Sequence, residues 1–224
     1  MTPTDILKER TVVGLHESLI SHLPDKIDLH APVLDIGCGA GAWLHRLHYH
    51  GYRNLTGIDQ DTKQFTGKDC TVQKVNLDNE DWSANLGTYR LITAIEVIEH
   101  LENIGSFLKN LRALLTDDGI IILTTPNLHC TAARLRFFLS GTLRHFDDRG
   151  DPTHIYPVFM PNVLKLTSRH GLDIIEYWGY PTTGRVLAAR CWVSPLCWIV
   201  NAFVREEIPG DVLCLKLRRR EMRA

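Results

Sequence analysis

A run of about 18 apolar residues, the least that crosses a bilayer as a helix, occurs nowhere in this 224-residue chain. No transmembrane segment is therefore expected. The opening MTPTDILKER also lacks the basic-then-apolar pattern of a secretory leader. Six cysteines, at 38, 70, 130, 191, 197 and 214, are scattered, and none forms a C-x-x-C pair. That spread argues for reduced thiols in a cytoplasmic setting and against a disulfide framework. Neither charge is in excess: 25 Lys and Arg face 26 Asp and Glu. A nearly neutral chain has no broad field to draw a polyanion, so no nucleic-acid partner is expected. Internal repeats and low-complexity tracts are missing as well.

What is present is an alternation of short apolar runs with amphipathic ones, at a length that suits one α/β domain over residues 1–224. Ile6, Val13, Leu15, Leu19 and Ile20 fall at helical spacing and predict a helix over 4–23, within an N-terminal part spanning 1–30. Strands are predicted at 32–37, 54–59, 70–75 and 89–95, with helices at 41–50 and 98–115. Asp117, Asp118 and Gly119 read as the turn into a fifth strand, IIILTT. Strands separated by helices predict right-handed crossovers and a parallel sheet. After Pro126 the rhythm stops, and residues 127–158 form a long lid-like connection containing TAARLRFFLS. A helix near 160–170 and a strand at 172–178 follow. An apolar insertion over 180–209, densest at 186–204, precedes a last strand at 211–217.

The strongest local signal is VLDIGCGAGAW at 33–43. A strand ends in Gly37, Gly39 and Gly41 and a helix begins at once. Such glycines let the chain turn sharply and let a ligand approach the backbone, while the helix start offers free N–H groups. The same letters fit the loose dinucleotide pattern, so the bend alone does not separate two cofactor classes. Asp35 does: a carboxylate two residues before Gly37 opposes a pyrophosphate and suits a cationic nucleoside such as S-adenosylmethionine. Asp59 ends the second strand, 22 positions after Gly37, where a carboxylate can accept from both ribose hydroxyls. Asn76 and Leu77 follow the third strand; they are placed against an adenine, or Asn76 simply makes an Asx turn.

With these residues in hand, the chain resembles the class I (Rossmann-like) S-adenosylmethionine-dependent methyltransferases over roughly residues 30–180. VLDIGCGAG, GID and NLD are similar to that family's first three cofactor segments. YRLITAIEVIEHLEN, FLKNLRALLTDDGIIILTTPN and THIYPVF resemble the ubiquinone-biosynthesis O-methyltransferase-like group. The resemblance implies a three-layer α/β sandwich with a seven-stranded, mostly parallel sheet whose last strand is antiparallel. It implies that Gly37, Gly39, Asp59, Gln60, Asn76, Leu77 and Ile95 contact the cofactor, with Asp35 and Cys38 in the same bend. Ile95-Glu96-Val97-Ile98 stands where base-modifying enzymes carry Asn/Asp-Pro-Pro-aromatic, which argues against a nucleobase acceptor. A small-molecule, lipid or glycan acceptor is expected, methylated at oxygen.

A hydroxyl acceptor must lose its proton, and His100, Glu99 and His154 are the candidate groups. If helical, Glu96, Glu99 and His100 would share one face past the fourth strand. Glu-x-x-Glu-His is weak evidence for a metal, and no ligand set is assigned. For CWVSPLCWIVNAFV at 191–204 a buried helix, a dimer contact and a weak membrane-surface contact compete, and the chain is read as monomer or homodimer. Two rival functions remain at this stage: an NAD(P)-linked oxidoreductase, and a regulator that binds the cofactor without turnover.

Overall fold

The glycine bend lies where the winding order of one sheet reverses, and the order of the strands explains why. The computed structural model describes residues 7, 9–24, 27–67, 69–148, 150–182 and 208–221. The strands are β1 (Val33–Ile36), β2 (Leu55–Asp59), β3 (Thr71–Lys74), β4 (Tyr89–Ile95), β5 (Leu115–Pro126), β6 (Leu172–Tyr180) and β7 (Val212–Arg219). They form one seven-stranded sheet in the order β3-β2-β1-β4-β5-β7-β6. β7 runs antiparallel to both neighbours and the other pairings are parallel. The chain leaves β1 in one direction and β4 in the other, which opens a crevice beyond their carboxyl ends.

The helices are α1 (Leu15–Ile20), α2 (Ala42–Tyr49), α3 (Ile104–Leu114), α4 (Thr131–Ser140) and α5 (Met160–Arg169). β1 is buried along its whole length and β4 nearly so, as central parallel strands are. Phe107, Leu108 and Leu111 of α3 are fully buried against Ile92, Leu115 and Ile121 in one core cluster. A second cluster joins Leu15 and Leu19 to Trp43, Leu44 and Leu47. Each such side chain contributes about 1.5–3 kcal/mol by leaving water.

Three expected boundaries shift. The first helix is α1 alone, not 4–23: Gly14 takes φ 82, and residues 10–13 before it are bends and turns. Of the expected span, residues 4–6 and 8 lie outside the described residues. The helix over 98–115 is instead a 3-10 turn, Ile98–His100, and then α3, which starts where Asn103 accepts the Ser106 N–H at 2.9 Å. Asp117, Asp118 and Gly119 make no turn before β5. The strand runs through them, and its pairing jumps from Tyr89↔Leu115 to Leu91↔Ile120, so the extra residues are absorbed as a bulge. The insertion at 186–204, with Trp192, Trp198 and Phe203, lies outside the described residues.

The connection 127–158 holds α4 and an irregular return. Only Thr131, Ala132 and Ala133 of α4 are buried, while Phe137 and Phe138 are exposed. Among the described residues no helix is long and apolar enough to cross a membrane, and Cys38, Cys70, Cys130 and Cys214 are free thiols.

Candidate active site

Gly37, Gly39 and Gly41 all take positive φ, at 69, 51 and 91. The Gly37 and Cys38 N–H groups bond back to the Ile58 carbonyl at 2.8 and 3.1 Å, folding the bend over β2. A Cβ on Gly37 would lie 2.6 Å from Val97 Cγ2, whereas nothing lies within 4 Å of one on Gly39. The two glycines therefore have different duties. Gly37→Ala is expected to lower stability by about 1–3 kcal/mol, a fall of several degrees in the melting temperature. Gly39→Ala should melt closer to the parent but bind cofactor less well, because its methyl points into open space. Thermal melts with and without ligand compare them.

That space is a cavity of about 620 Å³, lined from the bend by Asp35, Gly37, Cys38 and Gly39 and from the neighbouring strands by Asp59 and Ile95. Asp59 sits at the rim: one carboxylate oxygen accepts the Gly39 N–H and the other the Asp61 N–H, both at 2.8 Å. Asp35 lies beneath the bend. Its Oδ1 accepts from the Thr93 hydroxyl at 2.8 Å, which accepts in turn from the Trp43 indole N–H at 3.0 Å. Burial pushes the Asp35 carboxyl up to about 7; the Thr93 bond opposes this and the Asp59 charge adds to it. Burial, with Asp35 and Asp59 nearby, also pushes the Cys38 thiol up, so it stays protonated.

Gln60, Asn76 and Leu77 do not line the cavity. Gln60 and Asn76 are exposed; Asn76 Oδ1 accepts the Asp78 N–H at 3.1 Å, an Asx turn. Leu77 is half-buried against the core. The cavity also takes residues that local sequence did not single out: Arg10 and His16 from the N-terminal part, Trp43 from α2, His145 from the 127–158 connection and Asp211 from just before β7. No short spacing joins these, so only the fold reveals them.

At the other end of the cavity stand the candidate proton-transfer groups. The shared helical face expected for Glu96, Glu99 and His100 does not form. Glu96 takes φ 55, and its Oε1 accepts from the Thr124 hydroxyl at 3.0 Å. Glu99 turns inward and is fully buried, with no hydrogen bond of ordinary geometry to either carboxylate oxygen. Burial, with Glu96 beside it, pushes Glu99 well up; burial lifts Glu96 to about 7. Burial thus favours the protonated form of Glu99.

His100 meets His154 with ring centroids 4.8 Å apart, edge to face. His154 arrives because the Ile155 and Tyr156 N–H groups both bond to the Glu99 carbonyl at 2.9 Å. His100 Nδ1 is 3.1 Å from the Thr153 carbonyl, and His154 Nδ1 is 3.0 Å from the His145 carbonyl. A carbonyl only accepts, so each Nδ1 carries a proton, and in the neutral ring Nε2 keeps the lone pair. Burial, then the second imidazole, lowers the His100 pKa, which favours the neutral ring. Glu99, His100 and His154 also bring one donor atom each within 4.8 Å of one another, a set that a small divalent ion can take. The third member, His154, was beyond the reach of any sequence spacing.

A sequence profile described as a methyltransferase domain matches residues 10–177. The chain belongs to that family. It is similar to sphingolipid C9-methyltransferase 2 of Gibberella zeae, 31% identical over 54% of this chain and 26% of the relative. It is also similar to the ubiquinone biosynthesis O-methyltransferase of Colwellia psychrerythraea, 26% identical over 68% of this chain and 66% of that one. The chain thus spans about a quarter of the sphingolipid relative and two thirds of the ubiquinone relative. In structure it is similar to an S-adenosylmethionine-dependent methyltransferase from Archaeoglobus fulgidus, with a TM-score of 0.62 at 17% identity over 92% of this chain and 93% of that one. The fold is therefore the Rossmann-like methyltransferase fold, with the antiparallel strand β7 as expected.

Proposed function

We propose that this methyltransferase domain binds S-adenosylmethionine on the Gly37–Gly41 bend and methylates an oxygen of a small-molecule, lipid or glycan-type acceptor. The carrying observation is that one cavity takes both the acid-flanked bend and the two imidazoles. The bend fits this cofactor: it offers an open cradle at Gly39 and two carboxylates, Asp35 and Asp59. Asp35, beneath the bend, would oppose the pyrophosphate of a dinucleotide, whereas Asp59 suits the ribose of either cofactor. When bound, S-adenosylmethionine supplies a methyl group on a sulfonium, an electrophile that needs no further activation.

The residues then have separate tasks. Asp59 accepts from the ribose hydroxyls and Asp35 faces the cationic amino-acid end. Ile95 walls the cavity between cofactor and acceptor. His100 or His154 takes the acceptor proton at Nε2, and the half-buried pocket keeps reactants aligned; alignment alone is worth about 7–11 kcal/mol. Gln60, Asn76 and Leu77 remain proposals for the adenine side, where the cofactor would extend past the cavity rim. The free buried thiols support a cytoplasmic setting.

Calorimetry with S-adenosylmethionine and with NADH tests the cofactor; binding of NADH alone would overturn the reading. Transfer of labelled methyl to a panel of hydroxylated acceptors tests the chemistry. His100→Ala and His154→Ala are expected to lower turnover by about 10²–10⁴-fold for whichever is the base, with cofactor affinity nearly unchanged. Turnover at the parent rate in both variants would remove the imidazoles from the reaction. Activity abolished by chelators and restored by a divalent ion would assign Glu99, His100 and His154 to metal binding instead.

A further inference from the structure

The 127–158 connection has an interior device that aims one of the two imidazoles. The His145 carbonyl, which receives the His154 Nδ1–H, is held on a strained backbone. His145 takes φ 71, in the left-handed region that few residues other than glycine enter. Two contacts hold it there. On one side Arg144 pairs with Asp211 at 2.6 Å, and the two are only 9% and 2% exposed. Asp211 immediately precedes β7, and its carbonyl accepts the Asn127 N–H at 2.8 Å, so this anchor belongs to the sheet. On the other side Gly150 closes the turn through an N–H bond to the Asp147 carbonyl at 2.8 Å. A Cβ on Gly150 would lie 2.5 Å from the His145 carbonyl oxygen.

We infer that Arg144, Asp211 and Gly150 are positioning residues for His154. They hold residues 144–148 and Gly150 so that the His145 carbonyl keeps the proton on Nδ1 and leaves Nε2 free for the acceptor. The inference rests on His154 serving as the proton acceptor in the proposed reaction. Removing either lock lets the carbonyl swing away, and the ring is then free to move its proton to Nε2. That tautomer presents a donor where the reaction needs a lone pair.

The test uses the full chain labelled with ¹⁵N-histidine, with His154 assigned by comparison with His154→Gln. Long-range proton–nitrogen correlation reads the tautomer of each ring without any acceptor present. The parent should show His154 and His100 protonated at Nδ1. Gly150→Ala and Arg144→Lys should each shift His154 to a mixed or Nε2-protonated form. His100, held by Thr153, should stay as it was, and S-adenosylmethionine affinity should stay within about twofold. Methyl transfer, once an acceptor is in hand, should fall at least about tenfold, part of the 10²–10⁴ expected for a base. An unchanged His154 tautomer in folded variants overturns the inference, even if their melting temperatures drop. Should Arg144→Lys fail to fold, Gly150→Ala keeps the ion pair and carries the test. A shifted tautomer with undiminished transfer would support the positioning and sink the assignment of His154 as base.

Discussion

Asp59→Ala is expected to weaken S-adenosylmethionine binding by about 2–4 kcal/mol, roughly 30- to 1000-fold. The size follows from two roles in one carboxylate. In the free protein it accepts the Gly39 N–H and so holds the glycine bend from the β2 side; with cofactor it is proposed to accept from the ribose as well. Hydrogen bonds to a charged group each contribute about 1.5–3 kcal/mol, and alanine removes them together. Asp59→Asn separates the roles. It keeps one acceptor, and should recover much of the melting temperature lost by alanine while regaining little affinity. Calorimetric titration and thermal melts on both variants decide it. Affinity equal to the parent's in Asp59→Ala would refute the ribose assignment.

Asp35→Asn should move stability and binding in opposite directions. The buried carboxyl titrates near 7 in the folded chain, against 3.8 for the ordinary side chain. Between those values the folded chain keeps a proton that the unfolded chain has released. Stability from this group is therefore whole below pH 4, falls as pH rises towards 7, and is lost above it. Each pKa unit is worth about 1.4 kcal/mol, so the asparagine variant should be a few kcal/mol more stable than the parent at pH 8. Cofactor binding should suffer, because the cationic ligand meets no anion. The parent's affinity should also weaken as pH drops below 7 and Asp35 gains its proton, a trend the variant loses apart from any contribution of Glu96. Melts and titrations across pH 5.5–8.5, at values chosen by that expected window, test both. An asparagine variant that binds as tightly as the parent would show that Asp35 carries no part of the binding.

Much of this was legible beforehand because the signals are local. Three glycines after a buried strand can only be a bend, and Asp59 falls at a strand end whose length is set by Leu55 and Ile58. β4, α4 and α5 needed only periodicity. The errors arise where one residue overrides a pattern. Gly14 cuts the first helix, and Glu96 at φ 55 breaks the face on which Glu99 and His100 were expected to align. His154, His145 and Asp211 reach the cavity from distant stretches of chain, so the part of the cavity proposed for the acceptor is a product of topology. The antiparallel last strand came from family resemblance, and the insertion of β7 between β5 and β6 is seen only in the structure.

That insertion bears on how the molecule is made. β6 leaves the ribosome before β7, yet its partner in the sheet is β7. Until residues 212–219 emerge, β6 has no neighbour among the described strands, β5 lacks its β7 partner, and Asp211 and Val212 are missing from the cavity wall. A nascent chain can therefore assemble the glycine bend early but closes the cavity wall only as β7 slides between β5 and β6.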